Sequence, residues 1–169
     1  MSASTLLSSL FQFKAWADEE LLATLQSVDA TVHEGERHAA IRILNHIHVV
    51  DRIFAANLQK LPHPYTETNT PETPAPELLR VAVRETDLWY QGYVATMSQE
   101  ELDEDIEFTF TDGALGRMSR EEMLAHVVTH GGYHRGAVGR IMAQLAIAPP
   151  RELLTAFLHK AEPARRLRT

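Results

Sequence analysis

The chain has 169 residues, 44% of them apolar and 23% charged, with a formal net charge of -7 and no cysteine. That length supports one domain with a real core, and the negative charge opposes a broad nucleic-acid footprint, which relies on Lys and Arg to neutralise phosphates. Without cysteine there are no disulfides, thiolate nucleophiles or thiolate ligands, so any metal must be held by nitrogen and oxygen.

No apolar run approaches the length of a membrane span, and the opening MSASTLLSSLFQFKAWADEE lacks a basic segment followed by an uninterrupted apolar stretch. Neither membrane insertion nor secretion is expected, and a cytoplasmic address follows. Residues 5–27 read as a first amphipathic helix, because Leu6, Leu7, Leu10, Phe11, Phe13, Ala17, Leu21, Leu22 and Leu25 recur mostly at threes and fours. Trp16 reads as a core or interface aromatic. The segment 28–37 is then a connection.

A second helix is expected from about His38 to Leu61, ended by Pro62 and Pro64, with Ala40, Ile43, Ile47, Val50, Phe54, Leu58 and Leu61 as its apolar stripe. At about 100° per residue, His46 lies roughly 80° from the stripe's centre and His48 roughly 120° on the other side. His46 is therefore better placed to reach into a cleft. Asp51 reads as a surface residue or as an outer partner of a site there.

Five prolines in residues 62–76 predict an extended surface loop with His63 exposed on it. A third helix starts near Pro76 and runs to about Ser98, with apolar contacts from Leu78, Leu79, Ala82, Leu88, Trp89, Tyr93 and Met97. After an acidic turn, Ile106, Phe108 and Phe110 alternate with polar residues, and Asp112-Gly113 supplies a turn, which predicts a short strand or hairpin. Ser119 and Glu122 have capping-box spacing and open a fourth long helix that Pro149-Pro150 stops. A last short helix within 151–161 should pack back over an end of the fold, and Arg165, Arg166 and Arg168 form a solvated tail. The expectation is an all-α helix bundle: one domain over 1–169, with its core in about 5–147 and an extension at about 151–169.

The fourth long helix carries the chemistry. His126, His130 and His134 recur every fourth residue, and two imidazoles so spaced can converge on one ion, whereas a third is usually too far along the axis. Leu124, Val127, Val128, Val138, Ile141, Met142 and Leu145 define its inner face, which places His134 and His130 inward and His126 at the edge. In a bundle His46 can meet that pair from a facing helix. Three imidazoles with water completing the shell make an open site, able to hold Zn, Ni, Fe or Mn and to generate a nucleophile at neutral pH. His48 and His126 should tolerate replacement. Arg135 could bind an anionic group of a small-molecule substrate or form a structural ion pair. Gly131 and Gly132 could let another helix or a ligand approach closely.

The runs HVVTHGGYHRGAV, NHIHVVDRIF and LFQFKAWADEELLATL together resemble the DinB/YfiT-like family of DNA damage-inducible proteins over about residues 5–147. The resemblance implies a four-helix bundle in up-down-down-up order, commonly a homodimer, with a divalent metal held by His46, His130 and His134. It also implies metal-dependent activation of a low-molecular-weight thiol as cosubstrate of an S-transferase, with metal-assisted hydrolysis or non-catalytic ligand binding as alternatives. Phe54 stands where that family commonly has tryptophan, and Ala137 where glutamine usually follows the R-G.

Overall fold

The structure, a computed structural model, describes residues 3–167, so Arg168 of the basic tail lies outside the described residues. It is mostly helical, with a small antiparallel sheet of two strands. The elements are α1 (Ala3–Gln26), α2 (Glu34–Leu58), α3 (Pro76–Thr96), α4 (Gln99–Leu102), β1 (Asp105–Thr109), β2 (Leu115–Ser119), α5 (Arg120–Gln144) and α6 (Leu154–Ala161), followed by a 3-10 turn at Pro163–Arg165. The predicted hairpin is the β1–β2 pair, with Phe108 opposite Gly116 and Gly113 in the left-handed region at the turn. The capping box at the head of α5 forms as its spacing indicates: the Ser119 hydroxyl accepts from the Glu122 N–H, and the Glu122 carboxylate accepts from the Ser119 N–H.

Both α1 and α2 pack against α3 and α5. Their apolar side chains form two clusters. One contains Leu7 and Phe11 of α1, Val50 and Phe54 of α2, Tyr90 and Val94 of α3, and Leu124 and Val127 of α5. The other contains Leu21 and Leu25, Leu44 and Ile47, Leu79 and Val83, and Val138 and Met142 of the same four helices. The chain thus runs from the first cluster to the second along α1 and α5, and back along α2 and α3. Burying an apolar side chain of this size is worth about 1.5–3 kcal/mol, so these layers supply the main driving force.

Between the two layers lie charges. Lys14, Asp18, Asp51, Asp87 and Arg135 are all buried. Lys14 Nζ meets Asp18 at 2.8 Å, Asp51 at 2.8 Å and Asp87 at 2.7 Å, and Arg135 meets Asp18 at 3.0 Å and Glu152 at 2.8 Å. Asp51 is therefore an interior ion-pair partner and not the surface residue its position suggested. Leu78 and Leu88, expected among the contacts of α3, are exposed, and the real inner face is Leu79, Val83, Thr86, Asp87, Tyr90 and Val94.

Neither α2 nor α5 is ended by its prolines. In both, the chain turns through a left-handed residue that is not glycine: Lys60 at φ 57° and Ala146 at φ 58°. Around Lys60 the Leu61 N–H donates to the Ala56 carbonyl and the Lys60 N–H to the Asn57 carbonyl; around Ala146 the Ile147 N–H donates to Met142 and the Ala146 N–H to Ala143. This is the pairing of a Schellman cap. It leaves Leu61 exposed beyond the helix end. Because an L side chain in that region costs roughly 1–2 kcal/mol, part of which glycine's looser unfolded chain offsets, Lys60→Gly and Ala146→Gly should each stabilise by about 0.5–1 kcal/mol. A urea midpoint unchanged or lowered in both variants would refute this.

Candidate metal centre

α2 and α5 face each other, which brings His46 of one against His130 and His134 of the other. The Nε2 atoms of His46 and His130 are 3.1 Å apart. The ring of His134 lies 4.6 Å from that of His46 and 4.5 Å from that of His130. One ring nitrogen from each of the three falls within 4.8 Å of the others, and all three residues are half-buried, open on one side.

The surroundings of His46 settle which nitrogen faces inward. Its Nδ1 lies 2.7 Å from the Thr68 carbonyl, which can only accept, so Nδ1 carries the proton and Nε2 presents a lone pair to His130. A metal-bound imidazole is commonly oriented by this kind of outer bond. Burial, with His134 and His46 beside it, holds the His130 imidazole down to about 3, and burial followed by His46 lowers His134 as well. Both rings are neutral near pH 7, the form a metal needs. Two ligands at about 2.0–2.1 Å from a tetrahedral or octahedral ion lie roughly 2.9–3.4 Å apart, which the 3.1 Å spacing fits. The donor set fits a divalent cation with the remaining coordination positions left for water or substrate.

The Thr68 carbonyl is held in place by a strap that sequence reading missed. Asn69 accepts from the Asn45 amide, and its own amide donates to the Arg42 carbonyl at 3.0 Å. Asn45 also donates to the Thr70 hydroxyl at 2.7 Å, and Arg42 donates to the carbonyls of Thr70 and Glu72. The proline-rich segment is therefore stitched onto α2 beside His46, and His63 within it is half-buried rather than exposed. Outer-shell partners are worth about 10–100-fold in metal affinity. Asn69→Ala should weaken metal binding about tenfold with the helix content intact, as read by competition with a chromogenic chelator; an unchanged affinity would show that the strap does not orient His46.

The other candidates fall elsewhere. His126 stands outside the trio, its ring 5.4 Å from that of His130 and stacked on Phe54 at 4.7 Å. Burial lowers His48 to about 4, and it is not a member of the trio. Arg135 gives its guanidinium to Asp18 and Glu152, the ion-pair role of the two open to it. Gly131 leaves room for the Arg135 guanidinium of its own helix: a Cβ there would lie 3.0 Å from Arg135 Nη1, with Lys14 Cε of α1 at an ordinary 3.7 Å. Trp16 is half-buried against Phe13 and Phe157 of α6, with Lys160 5.7 Å above its ring. Beside the trio opens a cavity of about 380 Å³, walled by α2, the end of β1 and the head of α5, into which His46 and His130 both face.

A mostly helical fold whose facing helices converge three imidazoles defines a protein with a candidate three-histidine metal centre. The chain belongs to the DinB family, whose model matches residues 1–166. It is similar to Protein DinB of Bacillus subtilis (strain 168), with 23% identity over 169 residues that cover 92% of this chain and 96% of that protein. No solved structure matches it. Among the described residues, no helix is long and apolar enough to cross a membrane.

Proposed function

We propose that the protein is a metal-dependent enzyme of small-molecule chemistry, an S-transferase that joins a low-molecular-weight thiol to an electrophile at His46, His130 and His134. The observation that carries this reading is the convergence of three half-buried imidazoles at the mouth of a cavity. A divalent ion held there would act as a Lewis acid that lowers the pKa of a bound thiol or water. The sulfur lone pair forms the new bond to the electrophilic carbon, the leaving group departs with the bonding pair, and the thiol proton passes to solvent. His46, fixed by Thr68, and His130, kept neutral by burial, hold the site ready without competing for that proton. With no cysteine in the chain, the sulfur comes from the cosubstrate.

The scaffold is a single-domain four-helix bundle in up-down-down-up order. The paths of α1 and α5 from one core cluster to the other, opposite to those of α2 and α3, support this. It works in the cytoplasm as a homodimer, for which the exposed Leu78, Val81 and Leu88 of α3 offer an apolar face. The test is to load purified, untagged protein with zinc, nickel, iron or manganese, add a thiol and a reactive electrophile, and follow thiol consumption. Loss of thiol that stops in His130→Ala is expected. Consumption of the electrophile without thiol would make the protein a hydrolase, and neither reaction would leave a ligand-binding protein.

A further inference from the structure

The cavity beside the histidines is more selective than the metal centre requires. Not one of its lining residues is an Asp, Glu, Lys or Arg. Its walls are aliphatic and aromatic: Ile53 and Phe54 from α2, Phe108 and Phe110 from the hairpin, and Met118 from β2. The hairpin is shaped to supply these rings. Phe108 and Phe110 sit edge to face, 4.9 Å apart, and both lie against Gly116, where a Cβ would come within 2.7 Å of one ring and 2.8 Å of the other. A side chain at that position would displace the wall. Threonines also border the cavity, but Asn57 differs from them: its amide Nδ2 is buried with no hydrogen-bond partner among the described residues. An orphaned donor of this sort costs about 1–3 kcal/mol unless something accepts from it. The volume of about 380 Å³ lies at the small end of the usual range for small-molecule sites, about 300–1,000 Å³.

We propose that this chamber binds a neutral, ring-bearing apolar molecule carrying one hydrogen-bond acceptor such as a carbonyl, ether or nitro oxygen, and that it is the electrophile's site. The identification of that molecule as the electrophile rests on the transferase reading; the binding chemistry does not. Away from the histidines, a carboxylate or phosphate would leave water for side chains that offer no cation, and desolvating an unpaired charge is far more costly than desolvating a carbonyl. The anionic thiol cosubstrates common in cells therefore approach the metal from outside this chamber, while the neutral partner fills it.

Two probes of matched shape separate the outcomes: 2-acetylnaphthalene, which is neutral, and 2-naphthoate, which is charged, titrated calorimetrically into metal-loaded and chelator-treated protein. In chelator-treated protein, where no ion can pair with the carboxylate, the ketone should bind at least tenfold more tightly than the carboxylate. Met118→Trp, which fills the chamber, should abolish ketone binding with metal content unchanged, and Thr111→Trp serves in its place if that variant does not fold. Asn57→Leu, close in bulk, should weaken the ketone severalfold and leave 2-ethylnaphthalene as it was. Equal binding of the two probes, or ketone binding unaffected by filling the chamber, overturns the proposal. If the ketone binds but no metal does, the chamber stands and the enzyme reading falls; if metal binds and the ketone does not, the reverse holds.

Discussion

Lys14→Met should destabilise the protein by about 3–5 kcal/mol, the usual cost of removing one partner from a buried ion pair, and should lose most at high pH. The methionine keeps the bulk of the side chain, so the loss is electrostatic. Lys14 is wholly buried, and among the described residues its ammonium is the one cation paired with Asp51 and Asp87. Burial alone would drive the ammonium down, yet Asp18, Asp51 and Asp87 together hold it well above its ordinary value. The cluster contains two cations and four carboxyl groups, counting Glu152. Asp18, touched by both Lys14 and Arg135, is held below the usual carboxylate range despite its burial. Asp51 and Asp87 are the surplus: burial outweighs Lys14 and raises them to about 6 and about 7.

A carboxyl whose folded pKa lies above its unfolded value contributes stability that is present below about pH 4 and is lost as pH rises through the folded pKa. Native protein should therefore give up this contribution between about pH 4 and pH 7. Removing Lys14 raises both carboxyls further, so the window extends upward and the variant takes up protons on folding at pH 8. Urea unfolding at pH 5.5 and pH 8 should show the variant recovering part of its loss at the lower value. Asp51→Asn combined with Asp87→Asn should recover part of it at the higher one. A loss below about 1 kcal/mol at pH 8, or one independent of pH, would mean that water reaches the cluster and screens it.

This cluster also marks where sequence reading stops. The four long helices, the hairpin and the capping box at Ser119 were legible because each is written locally, in apolar spacing or in a turn signal, whereas α4 looks like an acidic turn and the first turn of α2, from Glu34, like connection. The inner face of α3 was misread because Thr86 and Asp87 sit in the middle of it, and periodicity assigns polar residues to water. Lys14 and Asp18 hid on α1 for the same reason. Their burial depends on Asp51, Asp87 and Arg135, partners 37 to 117 residues away, of which the local pattern contains no trace. The histidine trio was legible because spacing puts two members on one face and the stripe of α2 puts the third beside it. The strap was not, since its decisive atom is a backbone carbonyl, at Thr68, that no residue type announces. Helix ends at Lys60 and Ala146 were hidden by cap residues that are not glycine.

Substitution of His130 by alanine should reduce metal affinity by more than about a hundredfold, since outer-shell partners alone are worth about 10–100-fold. His130 meets both other members: its Nε2 is 3.1 Å from that of His46, and its ring is 4.5 Å from that of His134. His46→Ala leaves the adjacent pair on α5, which can still hold a weakly bound ion, whereas His130→Ala leaves single imidazoles on separate helices. His134→Ala likewise leaves one imidazole on each helix, so the order of damage should be His130 and His134 first, then His46, with His48 and His126 retaining full metal content by elemental analysis. Stability gives an independent reading of the same site. A ligand that binds only the folded state adds about 2.7 kcal/mol at a hundred times its Kd, so chelation should lower the Tm of the native protein and leave that of His130→Ala unmoved. Full metal content in His130→Ala, or an ion lost on replacing His126, would place the centre elsewhere on α5.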